Sequence, residues 1–147
     1  MADRDDDVVI SPTGWVAKQA RTYEESGGTK GTTVMGVPCL LLDYQGRKSG
    51  LWRRTVLIYG RDGDGYLLVA SDGGADRHPA WYLNLQANPD VRLRVETERF
   101  DATAVTLDAD EKERVWPGLV ELFPQYAGYR KKTERDIPVV RLTRKTD

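Results

Sequence analysis

Three stretches carry side chains whose types and spacing could do chemistry. The first is Gly46-Arg47-Lys48-Ser49-Gly50 with Arg53 and Arg54 close behind, which puts four cations within eight residues. Its two glycines permit tight backbone geometry. Backbone N–H groups and the Ser49 hydroxyl could then meet a phosphate or carboxylate, while the cations add charge-assisted hydrogen bonds. The same residues suit a solvated hairpin with ordinary surface cations, and the two readings stand level. The second stretch, Ala70-Ser71-Asp72-Gly73-Gly74, sits where a strand ends and a helix is about to begin. Such a junction can turn backbone amides and a helix N-terminus toward an anion, or it can be a plain connector. Behind it, His78-Pro79-Ala80-Trp81-Tyr82-Leu83-Asn84-Leu85 shows Trp81, Tyr82 and Asn84 within one turn, a flat apolar surface beside an amide. Taken singly, Trp81 suits core packing and His78 suits a helix cap. The third stretch spaces Phe123, Tyr126 and Tyr129 at i, i+3 and i+6, along one side of a helix. Such a stripe is usually core. Here Pro124, Gln125 and Gly128 point instead to an exposed, irregular segment whose tyrosine hydroxyls could donate a hydrogen bond or a proton.

What the chain lacks narrows the chemistry further. One cysteine, Cys39, cannot form an intrachain disulfide, and one histidine, His78, cannot anchor a multi-histidine metal site, so no metal is expected. Cys39 lies in an apolar strand and is expected to be buried and inert. There is no G-x-S-x-G nucleophile elbow, no Walker A loop and no G-x-G-x-x-G opening a helix. Few reactive side chains alongside 14 glycines, 4 tryptophans and 7 tyrosines suit a protein that holds a cofactor and lets it do the chemistry. A net charge of −1 gives no whole-molecule attraction to nucleic acid, and no nucleic-acid partner is expected. The longest apolar run, Val37 to Leu42, is far too short to span a bilayer. The acidic start Asp3-Arg4-Asp5-Asp6-Asp7 is unlike a signal peptide, so a cytoplasmic location is expected.

The elements that must position these stretches follow from periodicity and turn chemistry. With 147 residues, one domain is expected, residues 14–147, behind a flexible tail over 1–13. Trp15 to Glu25 reads as a short helix turning Val16, Ala20 and Tyr23 inward. Strands are expected over Val37 to Tyr44, Arg53 to Tyr59 and Tyr66 to Ala70, with Arg61-Asp62-Gly63-Asp64-Gly65 as a hairpin turn. A helix opens at His78-Pro79 and stops at Asn88-Pro89-Asp90. Strands Val91 to Val95 and Phe100 to Leu107 then pair. Asp108 with Glu111 caps a helix that Pro117-Gly118 must kink or divide, and Ile137 to Thr143 is a last strand. Strands joined mainly by hairpins imply an α+β fold, an antiparallel sheet or small barrel with helices packed outside it.

The same stretches, in order, resemble the deazaflavin-dependent nitroreductases of actinobacteria: Gly46 to Thr55, Val69 to Gly74, Arg77 to Leu85 and Tyr126 to Tyr129. The resemblance runs from about Trp15 to Leu142. It implies a split β-barrel of the FMN-binding type and the reduced deazaflavin cofactor F420. Arg47, Lys48, Ser49 and Arg53 match positions that bind the phosphate and acidic glutamyl tail of F420. Thr55, Val56, Ala70 and Ser71 would lie along the deazaflavin ring, with Trp81 and Asn84 completing the pocket. Tyr126 and Tyr129 match tyrosines beside the substrate that orient it or help deliver a proton. The resemblance implies hydride transfer to a quinone, enone or nitroaromatic acceptor, with FMN as an alternative cofactor and a non-catalytic F420 carrier as an alternative role. A peripheral contact with the inner face of the membrane, through the segment Trp15 to Tyr23, would bring a lipophilic quinone within reach. Three positions depart from the family pattern. Val56 replaces a proline and adds a backbone N–H, Asp72 replaces a common lysine, and Phe123 removes one hydroxyl.

Overall fold

A computed structural model describes residues 8–11 and 14–145. Within the segment expected as a tail, Val9–Ile10 instead form a short strand, β1; residues 1–7, 12 and 13 lie outside the described residues. Helix α1 spans Gly14–Glu25 and buries Val16, Ala20 and Tyr23, the three positions its periodicity selects. Two strands follow, β2 (Thr33–Val34) and β3 (Val37–Gln45), then β4 (Trp52–Ile58). The hairpin turn at Gly63, where φ is +59°, joins β5 (Gly60–Asp62) to β6 (Gly65–Val69). Helix α2 (Ala80–Ala87) begins directly after Pro79, and β7 (Asp90–Val95) pairs with β8 (Glu98–Thr106).

Helix α3 spans Ala109–Leu122, and the Asp108 carboxylate accepts the Glu111 N–H at 2.8 Å as its N-cap. Of the two expected outcomes, kinking or division, division does not occur: Pro117 lies inside α3. The helix continues because Val115, Trp116 and Leu119 are buried on either side of the proline, so packing outweighs one missing backbone hydrogen bond. The stretch after it is also more regular than expected. Gln125–Lys132 form helix α4, and Tyr126 is buried rather than displayed. Strand β9 (Val139–Arg144) ends the fold.

The strands run in the order β1-β4-β3-β7-β8-β9-β6-β5, with β2 added to β3. Every pair is antiparallel except β1 with β4. The fold is therefore α+β with a large antiparallel sheet, but among the described residues no ladder closes that sheet into a barrel. Its far ends are instead joined by the chain itself, since only Tyr59 separates β4 from β5. The Tyr59 N–H still donates to Pro38 O of β3 at 3.2 Å, while Gly60 already pairs with Leu67 of β6.

Strand alternation divides the core. Leu40, Leu42, Tyr44, Leu68, Leu93 and Leu142 face one inner cluster. Cys39 and Leu41 face α1, and Leu67 and Val69 face α3 and α4. Helix α2 packs against the inner cluster. Its Trp81, Tyr82 and Leu85 join the inner cluster, because this helix is apolar where it meets the open end of the sheet.

Candidate functional site

Two adjoining cavities meet along β4. The smaller, about 370 Å³, is lined by Tyr44, Gly46, Arg47, Lys48, Ser49, Arg53, Ala80 and Asn84, with Val9, Ile10 and Ser11 at its side. The larger, about 720 Å³, takes Thr55 to Ile58 of β4 as one wall and Ser71, Asp72 and Gly73 as another. Trp81, Phe123, Tyr126 and Tyr129 complete it, and Ser11 borders both cavities.

The cation turn is built rather than merely exposed. Gly46 donates to Leu51 O at 2.9 Å and Gly50 donates back to Gly46 O at 2.8 Å. Gly50 holds φ at +71°, and a Cβ on Gly46 would stand 2.8 Å from Ser49 Oγ and 3.2 Å from Arg53 Nε. Asn84, buried on α2, fixes the turn from across the cavity. Its Oδ1 accepts both the Arg47 backbone N–H and Arg47 Nη1, each at 2.9 Å. Asn84 therefore lines the cation cavity, while Trp81 lines the larger one. Among the described residues no carboxylate pairs with Arg47, Lys48 or Arg53. Among the described residues, that gathers positive charge at this cavity.

In the larger cavity, Thr55, Val56, Ser71, Trp81, Tyr126 and Tyr129 come together as lining residues. Ala70 does not. It is fully buried in the inner cluster, because the strand alternation of β6 turns it inward with Leu68. Asp72 faces this cavity and not the cation cavity, so its charge is kept away from the turn. Asp72, Gly73 and Gly74 all have positive φ, at +46°, +64° and +83°. A Cβ on Gly74 would come within 3.1 Å of Tyr129 Cα, so this loop and α4 are in backbone-close contact. That contact sets where Tyr129 stands.

Tyr126 packs edge-on against Phe123 with ring centroids 4.9 Å apart, and lies 6.5 Å from the Tyr129 ring. Burial, with a smaller contribution from Tyr129, pushes the Tyr126 phenol well above its ordinary value. Tyr126 therefore keeps its proton at working pH, whereas an efficient general acid has a pKa near that pH. Tyr129 is more accessible and donates to Gln125 Oε1 at 3.0 Å. Trp15 and Met35, 56% and 69% exposed, form an apolar rim at the mouth.

Sequence reasoning missed Arg135 altogether. Its Nε donates to Ala75 O at 3.0 Å, Nη2 to Ser71 O at 3.0 Å, and Nη1 to Ala70 O at 3.2 Å. Nη1 also meets His78 Nδ1 at 2.8 Å. Guanidinium only donates, so His78 accepts through Nδ1 and carries its proton on Nε2. Thr133 adds a hydrogen bond to Asp76 at 2.9 Å. No motif surrounds Arg135 in the sequence, and its partners lie 57 to 65 residues away.

A wrapped antiparallel sheet thus carries a cation-lined cavity beside an aromatic one, with Ser11 bordering both. The chain matches the profile of the F420H(2)-dependent quinone reductases over residues 15–144, and it belongs to that family. It is 43% identical over 127 residues to an F420H(2)-dependent quinone reductase of Mycobacterium tuberculosis (strain H37Rv), covering 84% of this chain and 85% of that protein. Among solved structures it resembles an F420-H2 dependent reductase, FDR-A, at 40% identity and a TM-score of 0.67, covering 71% of this chain and 93% of the other. A second structure, solved as a domain-swapped dimer, aligns at 40% identity and a TM-score of 0.70 over 90% of this chain and 99% of that one.

Proposed function

We propose that this protein is an F420H2-dependent reductase whose acceptor is a quinone, with its wrapped sheet acting as a split barrel around the cofactor. The observation that carries the reading is the adjacency of the two cavities, lined by successive residues of β4 and sharing Ser11, in a member of this family. The donor set fits the group. Arg47, Lys48 and Arg53, unpaired by described carboxylates, suit the phosphate and glutamyl tail, and Ser49 adds a hydroxyl. The wall of Thr55 and Val56 opposite Trp81 and Ser71 suits a flat heterocycle. When bound, reduced F420 supplies a hydride from ring carbon C5.

The chain's own residues bind, orient and exclude water. Tyr126 offers a protonated hydroxyl to orient a carbonyl oxygen of the acceptor, and Tyr129, nearer solvent, stands where a proton can be replenished. The apolar rim of Trp15 and Met35 suits a lipophilic acceptor and a peripheral contact with a lipid surface that delivers it. Among the described residues no helix is long and apolar enough to cross a membrane.

Titration with F420 and with FMN, read by tryptophan fluorescence, tests the cofactor. Turnover of reduced F420 with menadione separates an enzyme from a carrier. Lys48→Ala and Arg53→Ala should each weaken F420 binding about tenfold and flatten its salt dependence. Unchanged affinity and an unchanged salt slope would show that the anionic portion binds elsewhere.

A further inference from the structure

We infer that Tyr44 is a binding residue of the cation cavity, its hydroxyl donating a hydrogen bond to an oxyanion of the ligand that Arg47, Lys48 and Arg53 attract. The inference rests on the F420 reading and adds to it a neutral, directional donor. Tyr44 lies near the end of β3, on the same face as Leu40 and Leu42, and its ring belongs to the inner cluster. Only 8% of the residue is exposed, yet it lines the cation cavity. In register it stands opposite Arg53 across the β3–β4 ladder.

No described group bonds the Tyr44 hydroxyl, and no buried side-chain polar atom among the described residues lacks a partner. The hydroxyl therefore keeps some accessible surface, on a residue that lines the cavity. A phenylalanine would fill the same core volume without the polar atom, so packing gives the oxygen no task. Burial raises the phenol above its ordinary value, against a downward pull from Arg53, so it remains a donor across working pH. Three cations draw an anion in from any direction. One fixed O–H on a core-packed ring selects an orientation.

Tyr44→Phe in the full chain tests this. The titrants are F420, F420 stripped of its glutamates, and the deazaflavin fragment that lacks both phosphate and glutamates. The melting temperature of the free protein should be unchanged. Affinity for F420 should fall about tenfold or more, as for a hydrogen bond to a charged group, with the salt slope unchanged. Affinity for the phosphate-free fragment should stay the same. An equal loss with glutamate-free F420 assigns the contact to the phosphate, and a loss confined to complete F420 assigns it to a tail carboxylate; both support the inference. Unchanged F420 affinity, or an equal loss for the fragment, overturns it. Failure of the wild-type protein to bind F420 would strike the cofactor reading first. Inorganic phosphate titrated into the wild type and Tyr44→Phe would then decide the contact alone, with equal affinities overturning it.

Discussion

Arg135 commits all three guanidinium nitrogens to the loop that walls the larger cavity, and His78 is the one of its partners that titrates. Burial lowers the His78 pKa, and the Arg135 charge lowers it further, while Asp136 pulls weakly the other way. The folded protein thus resists a proton that the unfolded chain accepts near pH 6.5. Stability from this site is complete above that pH and is lost as pH falls below it. His78→Asn keeps an acceptor for Arg135 but cannot titrate. The variant should lose less melting temperature than the wild type between pH 7.5 and 5.5, and parallel curves would refute the coupling. Residue chemistry of this kind was legible only where it is local. The cation turn could be read because its members lie within eight residues. The Asn84–Arg47 bond spans 37 residues and the Arg135 contacts span up to 65, so no spacing rule announces them.

Among the elements, α4 and the 72–74 loop are in close contact beside the larger cavity. Gly74 has φ +83° and no room for a side chain against Tyr129 and Lys132. Gly74→Ala should destabilise the fold by about 1–3 kcal/mol and displace Tyr129. Melting temperature should fall, and kcat/KM for menadione should fall more than F420 affinity does. Equal kinetics in both proteins would show that the loop does not position α4. Periodicity made α1, β3, β4 and β6 to β9 readable, because each buries a regular face. Strand β1 was passed over because two residues carry no period, and β5 because its three residues read as turn. Helix α4 was misread since Pro124 and Gly128 argue locally against a helix that Phe123 and Trp116 stabilise through Tyr126.

At the scale of the molecule, the sheet is clamped to α1 by charges that neutralise one another out of water. Arg54 makes a two-pronged contact with Asp43, at 2.8 Å on each side, between adjacent strands. Glu24 of α1 reaches Arg54 at 3.8 Å, Arg94 at 2.9 Å and Arg99 at 2.5 Å. Asp43→Ala leaves a nearly buried guanidinium without its two-pronged carboxylate partner. It should cost about 3–5 kcal/mol, measured by denaturant unfolding, whereas a loss under about 1 kcal/mol would mean the remaining partners of Arg54, Glu24 among them, compensate fully.

Strand β4 carries Arg53 into one cavity and Ile58 into the other before the chain turns at Tyr59. From Arg53 to Thr55 and Val56, where the larger cavity begins, is two to three residues of extended chain, about 7–10 Å. The strand is thus a ruler printed into the protein. A molecule that fills both cavities must hold its negative charge and its flat ring at a matching separation, and one with a much shorter tether can reach only one end at a time.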